Sequence, residues 1–339
     1  MNESSIPNIP IELKNRMSRQ GYHFIGKHSA VKICEYTANA LRDEGLCYKY
    51  TFYGIKSWQC IQSTTALGCD LACRFCWRLI PEELGYNWNE LNVQEWDDPK
   101  EIVEGMIREQ RKIVSGFKAI ADTEKKMKRW KEANEPAHVA ISLTGEPLFY
   151  PKMSALLNEF HKRGISTFVV HNGTLPESIA KLNPLPTQFY ISLQAPDEET
   201  YNIVTRPKIS NSWQRFLKSV EMLKTLKTRT VLRMTLVKGL NMLNPEGYAK
   251  IIKLGLPNYV EVKGFSFVGG ARGKERNLTL ESMPNHEEIK EFANKLADLT
   301  GYIVTAEHRQ SRNVLLSRDE DSKKNRIIDF SKVKENVVE

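Results

Sequence analysis

The sequence predicts an α/β fold built on a parallel sheet with crossover helices, and three observations predict it. From Ala137 onward the chain repeats a short apolar strand, a polar loop and a helix, the pattern of a sheet whose consecutive strands run the same way. Each of these strands ends in small or polar residues, as a chain must where strand C-termini build a site. Ahead of the repeat stands a cysteine loop, Gly68-Cys69-Asp70-Leu71-Ala72-Cys73-Arg74-Phe75-Cys76-Trp77.

The elements follow in order. Residues 1–22 are polar and interrupted by Pro7 and Pro10, which predicts a mobile arm. Residues 23–62 hold Cys34, Cys47 and Cys60, spaced thirteen apart twice. They converge if the segments between them fold back, as a helix over Val31 to Arg42 and a strand pair over Leu46 to Trp58. Residues 63–318 form the main body. Within it Leu79 to Trp96 reads as an irregular excursion, and a basic helical insertion covers about 99–134. That insertion starts behind the caps Asp97 and Asp98 and breaks near Ser115-Gly116. Strands are expected at 139–143, 166–170, 188–193, 230–237, 259–264 and 302–306. Helices between them cover 152–162, 176–182, 211–226 and 245–254, and Pro284 to Leu299 forms another with Asn285 as N-cap. The glycine-rich, basic stretch 265–282 reads as a substrate-facing loop, and 319–339 as a charged peripheral tail.

Composition narrows the function classes. A chain of 339 residues with 41% hydrophobic and 27% charged residues is globular, neither disordered nor membrane-embedded. No apolar run approaches the roughly 18–20 residues of a membrane span, and Met1 to Pro7 has no signal pattern. Six cysteines are too few for a disulfide scaffold, and their grouping implies metal in a reducing, cytoplasmic compartment. The formal net charge of +8 favours a polyanionic partner such as nucleic acid. Arg108, Arg111, Lys112, Lys118, Lys125, Lys126, Lys128 and Arg129 concentrate that charge on the insertion. There a solvated helix face and a contact with nucleic-acid phosphates explain it equally well.

The chemistry rests on the cysteines. Cys69, Cys73 and Cys76 follow C-x3-C-x2-C, and three thiolates on one loop hold three corners of a cubane iron–sulfur cluster, leaving one iron open. A structural zinc site needs four ligands at once, and His161 and His171 lie too far downstream to complete a finger. Cys34, Cys47 and Cys60 taken singly read as buried thiols; as a triplet directly before the loop they suggest a second cluster. Lys49 lies two residues after Cys47, in an alternating Tyr/Phe stretch that reads as a strand and puts both on one face. A lysine beside a metal centre can form a Schiff base with a carbonyl substrate, although a solvated lysine is the default for this residue type.

Both cysteine sets, with Thr144-Gly145-Glu146-Pro147, His171-Asn172-Gly173-Thr174 and Ile191-Ser192-Leu193-Gln194-Ala195-Pro196, resemble the archaeal 4-demethylwyosine synthases over about residues 20–318. These are radical S-adenosylmethionine (SAM) enzymes of wyosine biosynthesis. The resemblance implies an incomplete (βα)6-type radical SAM barrel with an N-terminal auxiliary-cluster segment and helical insertions. It implies that Cys69, Cys73 and Cys76 bind the SAM-activating 4Fe–4S cluster, and Cys34, Cys47 and Cys60 an auxiliary 4Fe–4S cluster. Lys49 matches the lysine that takes pyruvate as a Schiff base. Gly145 and Glu146 match the motif at the SAM amino group. Asn172, Ser192 and Gln194 fall where SAM ribose or carboxylate contacts are expected, and Arg233 where a carboxylate contact from the next strand would come.

The implied reaction is that of a carbon–carbon lyase. A 5′-deoxyadenosyl radical takes hydrogen from the methyl group of N1-methylguanosine at position 37 of tRNA-Phe. The carbon radical adds to pyruvate, and loss of the pyruvate carboxyl carbon with ring closure leaves the tricyclic base. An exposed nucleotide suits such chemistry. Eukaryotic relatives carry a flavodoxin-like domain and nothing before Cys34 is long enough for one, so an external ferredoxin- or flavodoxin-type donor is implied. Nothing demands more than a monomer. Two alternatives compete. A radical SAM tRNA methylthiotransferase would separate its cysteine sets by a domain, whereas Cys60 and Cys69 are nine apart. A non-catalytic zinc-bound RNA-binding protein would leave the strand-end motifs idle.

Overall fold

A computed structural model describes residues 9–78, 80–91 and 95–338. Its centre is a ten-stranded sheet. The chain enters through α1 (Ile11–Arg19), then β1 (His23–Ile25) and β2 (Ser29–Val31), an antiparallel pair. Two short helices follow, α2 (Glu35–Arg42) and α3 (Tyr48–Tyr53), before β3 (Cys60–Thr64). The insertion is α4 (Pro99–Ser115) and α5 (Glu124–Ala133). The repeat then runs β4 (His138–Ile141), α6 (Met153–Lys162), β5 (Ser166–His171), α7 (Pro176–Ala180) and β6 (Gln188–Leu193). It continues through α8 (Glu198–Thr205), α9 (Ser212–Met222), β7 (Arg229–Leu236), α10 (Pro245–Gly255) and β8 (Tyr259–Gly264). Last come α11 (His286–Thr300), β9 (Ile303–His308), β10 (Asn313–Ser317) and α12 (Glu320–Lys324).

Strands β3 to β8 are parallel and neighbour one another in chain order. Five of these, β4 to β8, are strands that the βα repeat predicts, whereas β3 has no counterpart in the sequence reading. The expected sixth strand at 302–306 is instead β9, paired with antiparallel β10 in the extension beyond β8, while β1 and β2 extend the other end. Side-chain alternation along each strand separates two surfaces. Val139, Ile141, Val169, Phe189, Ile191, Leu232, Met234, Val260 and Val262 belong to the core shared with the helices. Ala140, Phe168, Tyr190, Val231, Tyr259 and Leu315 form a separate cluster inside the arc, with Tyr48, Phe52 and Tyr53 of α3.

Most expected elements form, and helix caps behave as read. Asp98 accepts from Lys100 N and Glu101 N at the start of α4, and Asn285 forms a capping box with Glu288 on α11. Four expectations are corrected. Within 46–58 the chain makes helix α3 and no strand pair. The reason is burial at Tyr48, Lys49, Phe52 and Tyr53, a helical spacing that lets all four enter the arc while Tyr50 stays exposed. The expected helix from Val31 begins only at Glu35, because Val31 pairs with Ser63 in the sheet. Part of the expected mobile arm is α1, held by buried Leu13 and Met17. The expected peripheral tail sends Ile328 and Phe330 against the inner cluster. Helix α8 had no counterpart in the sequence reading. Of the excursion 79–96, residues 79 and 92–94 lie outside the described residues; short 3-10 turns occupy Pro81–Leu84 and Trp88–Leu91.

The basic insertion is largely paired within the protein. Lys125 and Arg129 meet Asp43, Lys126 meets Asp122, Arg111 meets Glu135, and Lys112 and Arg108 meet Glu109.

Candidate active site

The cysteine loop leaves β3 and is held against the strand ends by neighbours on several sides. Ala72 N donates to Thr205 O at 2.8 Å and Arg74 N to Val204 O at 2.9 Å, which ties the loop to α8. Arg206 Nε donates to Ala72 O at 2.8 Å. After β4 the Thr144-Gly145-Glu146-Pro147 turn presses on the loop's start, and Glu146 N donates to Gly68 O at 2.7 Å. Gly145 has φ +65°, and a Cβ there would lie 2.0 Å from Ala66 O. Only glycine permits that backbone and that approach.

Glu146 is buried with both carboxylate oxygens engaged. Oε1 meets His171 Nδ1 at 2.8 Å and accepts from Leu148 N at 2.9 Å. Oε2 accepts from Asn172 N at 2.9 Å. The side chain thereby joins the end of β4 to the end of β5. Asn172 continues the link to the loop: its Nδ2 donates to Asp70 Oδ1 at 2.7 Å and stands 3.8 Å from Cys69 Sγ. Its Oδ1 accepts from Thr174 N and Thr174 Oγ1. Burial pushes the Asp70 carboxyl up, against its bonds from Thr174 and Asn172. Gln194 is also buried, and its Oε1 has no hydrogen-bond partner among the described residues. A buried amide oxygen without a donor is costly, so this atom suits a ligand that brings a donor.

The six cysteines are all free thiols. Burial raises the Cys69 and Cys73 thiols well above the usual range, the state from which a metal, by binding thiolate, would release a proton. Cys73 feels the charge of Cys76, and Cys69 that of Cys73, which groups the three. Cys34 and Cys47 stand at the N-caps of α2 and α3, and Cys60 begins β3. Burial pushes Cys47 and Cys60 up to about 12, and each of the three senses the Lys49 ammonium. Among the described residues no three His, Cys, Asp or Glu side chains sit close enough to grip one metal ion.

Lys49 projects from α3 into the arc. It is 8% exposed, and its Nζ lies 5.0 Å from the Tyr190 ring centroid and 5.5 Å from that of Phe168. Two flanking tyrosines dock the helix: Tyr48 Oη donates to Glu261 Oε2 at 3.0 Å and Tyr53 Oη to Glu261 Oε1 at 2.8 Å. Arg233 pairs in register with Ser192 on one side and Glu261 on the other. Its Nε is 3.7 Å from Glu261 Oε2, and its guanidinium lies over Tyr48. The structure thus brings Arg233 beside Lys49's helix. Lys263, one register step beyond Glu261, is drawn down to about 7 by burial and by Arg233 and Arg312.

Sequence reading passed over Asp70, His171, Glu261, Lys263 and Arg276. His171 and Asp70 lie inside motifs it quoted; the others carry no local signal. Arg276, from the loop after β8, is fully buried against the cysteine loop.

The family model for the radical SAM superfamily matches residues 64–252, and that for wyosine base formation matches 254–318. The chain is 46% identical over 319 residues to the S-adenosyl-L-methionine-dependent tRNA 4-demethylwyosine synthase of Pyrococcus abyssi, covering 93% of this chain and 91% of that protein. It is 41% identical to the synthase of that name from Oryza sativa subsp. japonica, over 90% of this chain and 46% of that one. Among solved structures it resembles TYW1 with a lysine-pyruvate adduct bound, at TM-score 0.81 and 33% identity, covering 95% of this chain and 99% of that one. It also resembles an archaeal TYW1 at TM-score 0.73 and 31% identity, with the same coverage of both chains.

Proposed function

The chain belongs to the tRNA 4-demethylwyosine synthases of the radical SAM superfamily, and from that premise we infer how its own residues divide the work. It is a radical SAM enzyme that forms the 4-demethylwyosine base in tRNA, a lyase of the carbon–carbon class. The division of labour is our proposal. Cys69, Cys73 and Cys76 hold the cluster that supplies the electron for SAM cleavage. Gly145, Glu146, Asn172, Ser192 and Gln194 face SAM from the ends of three strands, with the unpartnered Gln194 Oε1 open to a SAM donor group. Cys34, Cys47 and Cys60 hold a second, auxiliary cluster. Lys49 takes pyruvate as a Schiff base beside it, and N1-methylguanosine at position 37 of tRNA-Phe is the acceptor. Arg233, paired in register with Ser192 and flanked by Glu261 on its other side, reaches the SAM carboxylate from the next strand.

One observation carries this reading: the Lys49 amine is buried in the arc, among the three N-terminal cysteines and over two aromatic rings. A lysine amine held at a fixed place in a site can attack a carbonyl carbon and form a Schiff base. Glu261 and the two tyrosines hold its helix, so the amine's position does not depend on substrate. The ring faces exclude water from the carbon–nitrogen bond that would form.

Borohydride reduction with pyruvate, followed by peptide mapping, tests this. The adduct is expected on Lys49 and absent from Lys49→Arg, which should lose at least about 100-fold in base formation, the scale on which positioned catalytic groups act. An adduct on Lys263 in the wild type would overturn the assignment. The auxiliary cluster is tested separately: Cys34, Cys47 and Cys60 changed together to Ala should remove about four irons and leave about four on the loop. Unchanged iron would leave a single-cluster enzyme. The cytoplasmic location, external reductant and monomeric state of the sequence reading are retained as part of this proposal, and no described helix is long and apolar enough to cross a membrane.

A further inference from the structure

Arg276 lies about two hundred residues from the cysteine loop in sequence, yet its guanidinium sits inside that loop. Nη1 donates to Cys73 O at 3.0 Å and to Cys76 O at 3.0 Å, with Arg74 O at 3.4 Å. Nη2 reaches Arg78 O at 3.4 Å, and Nε pairs with Glu83. The side chain is 0% exposed. Four carbonyls of one short segment therefore converge on a single cation, two of them belonging to cysteines. A planar fork with five donors meets such a ring; a lysine, with one compact head, cannot.

The surrounding backbone is shaped for the same contact. Gly270 N donates to Trp77 O at 2.7 Å, and a Cβ on Gly270 would come 2.3 Å from Arg78 O. In the other direction Arg74 Nε donates to Arg276 O at 3.0 Å. The two segments bind each other reciprocally. The stretch 265–282, expected to face substrate, thus has a second face turned onto the cysteine loop.

We propose that Arg276 is a positioning residue for the SAM-activating cluster: its guanidinium locks the backbone that carries Cys73 and Cys76, and its buried charge favours the reduced cluster. This rests on the reading that Cys69, Cys73 and Cys76 hold an iron–sulfur cluster. Three thiolates and an added electron make the reduced state the more negative one, so a fixed cation in a low-dielectric setting stabilises it more than the oxidised state. Glu83 and the more exposed Glu275, whose Oε1 is 3.8 Å from Nε, offset part of that field. Charge and geometry are therefore separable by substitution.

Two measurements on Arg276→Gln, Arg276→Lys and Glu83→Gln test the proposal. The first is amide exchange of the cluster-free chain, where Cys76 N bonds to Cys73 O and Arg74 N to Val204 O in the closed loop. Both Arg276 variants should exchange these amides at least about tenfold faster, because neither replacement keeps the fork. Wild-type rates in both would overturn the lock. The second is the midpoint potential of the reconstituted loop cluster, followed through the signal that SAM addition perturbs.

Arg276→Gln should lower the reduced-to-oxidised ratio about tenfold at fixed potential, a fall of about 59 mV for one electron. Arg276→Lys should stay near wild type, and Glu83→Gln should shift upward. The opposite signs separate an electrostatic role from a merely structural one. A downward or absent shift in Glu83→Gln, or a Lys variant that falls as far as Gln, would overturn the charge argument. If Arg276→Gln does not fold, the Lys and Glu83 variants still decide both points. A wild type that binds no iron at the loop would defeat the cluster reading and with it the charge argument, while the exchange rates would still decide the lock.

Discussion

Tyr53 Oη donates to Glu261 Oε1 at 2.8 Å, joining the helix that bears Lys49 to the middle of β8. Glu261 is 0% exposed and also accepts from Tyr48 Oη at 3.0 Å. Removing this carboxylate by Glu261→Ala leaves two buried hydroxyls without their acceptor and the Arg233 guanidinium without its ion-pair partner. The variant should lose about 2–4 kcal/mol of stability, read as a lower urea midpoint, together with most of its borohydride-trapped pyruvate adduct. Wild-type adduct yield would show that α3 holds Lys49 without Glu261.

Gly145→Ala should be among the most damaging single changes in the chain. The new methyl would meet Ala66 O at 2.0 Å and Gly68 O at 2.8 Å at a positive φ, where backbone contacts cannot yield by a rotamer change. A loss of about 2–5 kcal/mol follows from strain and overpacking together. Thermal unfolding of the cluster-free chain measures it without confounding by iron.

Asn172→Ala cuts the bond to Asp70 and both bonds from Thr174. The expected cost is about 1–3 kcal/mol, since Asp70 stays buried with one donor fewer. Asp70 sits between Cys69 and the strand end, so iron retained on Cys69, Cys73 and Cys76 after anaerobic reconstitution should fall as well. Full iron content with normal stability would show that the loop is held from its other side, by α8 and Arg276.

Stability should decline in acid through His138. Burial holds this imidazole down to about 3 from an ordinary 6.5, and it bonds to Ser166 Oγ at 2.7 Å with Phe330 against its ring. It is neutral in the fold, whereas the unfolded chain protonates it below about 6.5. Protons thus favour the unfolded state, and stability is present above about pH 6.5 and falls as pH drops toward about 3. The slope for one such group approaches about 1.4 kcal/mol per pH unit. Urea titrations of the cluster-free chain across that window should show it, and His138→Asn should flatten it. An equal slope in the variant would assign the effect to His28 or His161, which burial also lowers.

Much of this was legible in one dimension because it is local. Alternation and length mark β4 to β8, Asp98 and Asn285 mark helix starts, and the C-x3-C-x2-C spacing marks the loop. Grouped cysteines, a tight Gly145 turn and a lysine two residues from a cysteine also leave traces at short range. Where two local signals conflicted, the reading failed: Tyr48 to Tyr53 is rich in strand-favouring aromatics, yet the arc had room for four side chains from one helical face.

By itself, then, the sequence determined the parallel α/β repeat, both sets of cysteines and the strand-end motifs, since each depends on spacing along the chain. Tertiary structure alone decided that Glu261 anchors the Lys49 helix, that Arg233 stands with it, and that Arg276 enters the cysteine loop from beyond β8, at the opposite edge of the parallel arc. The physical reason is that a buried charge must find its partners wherever the fold brings them. Glu261, Arg233 and Arg276 look like ordinary surface charges until the strands and loops that desolvate them are in place.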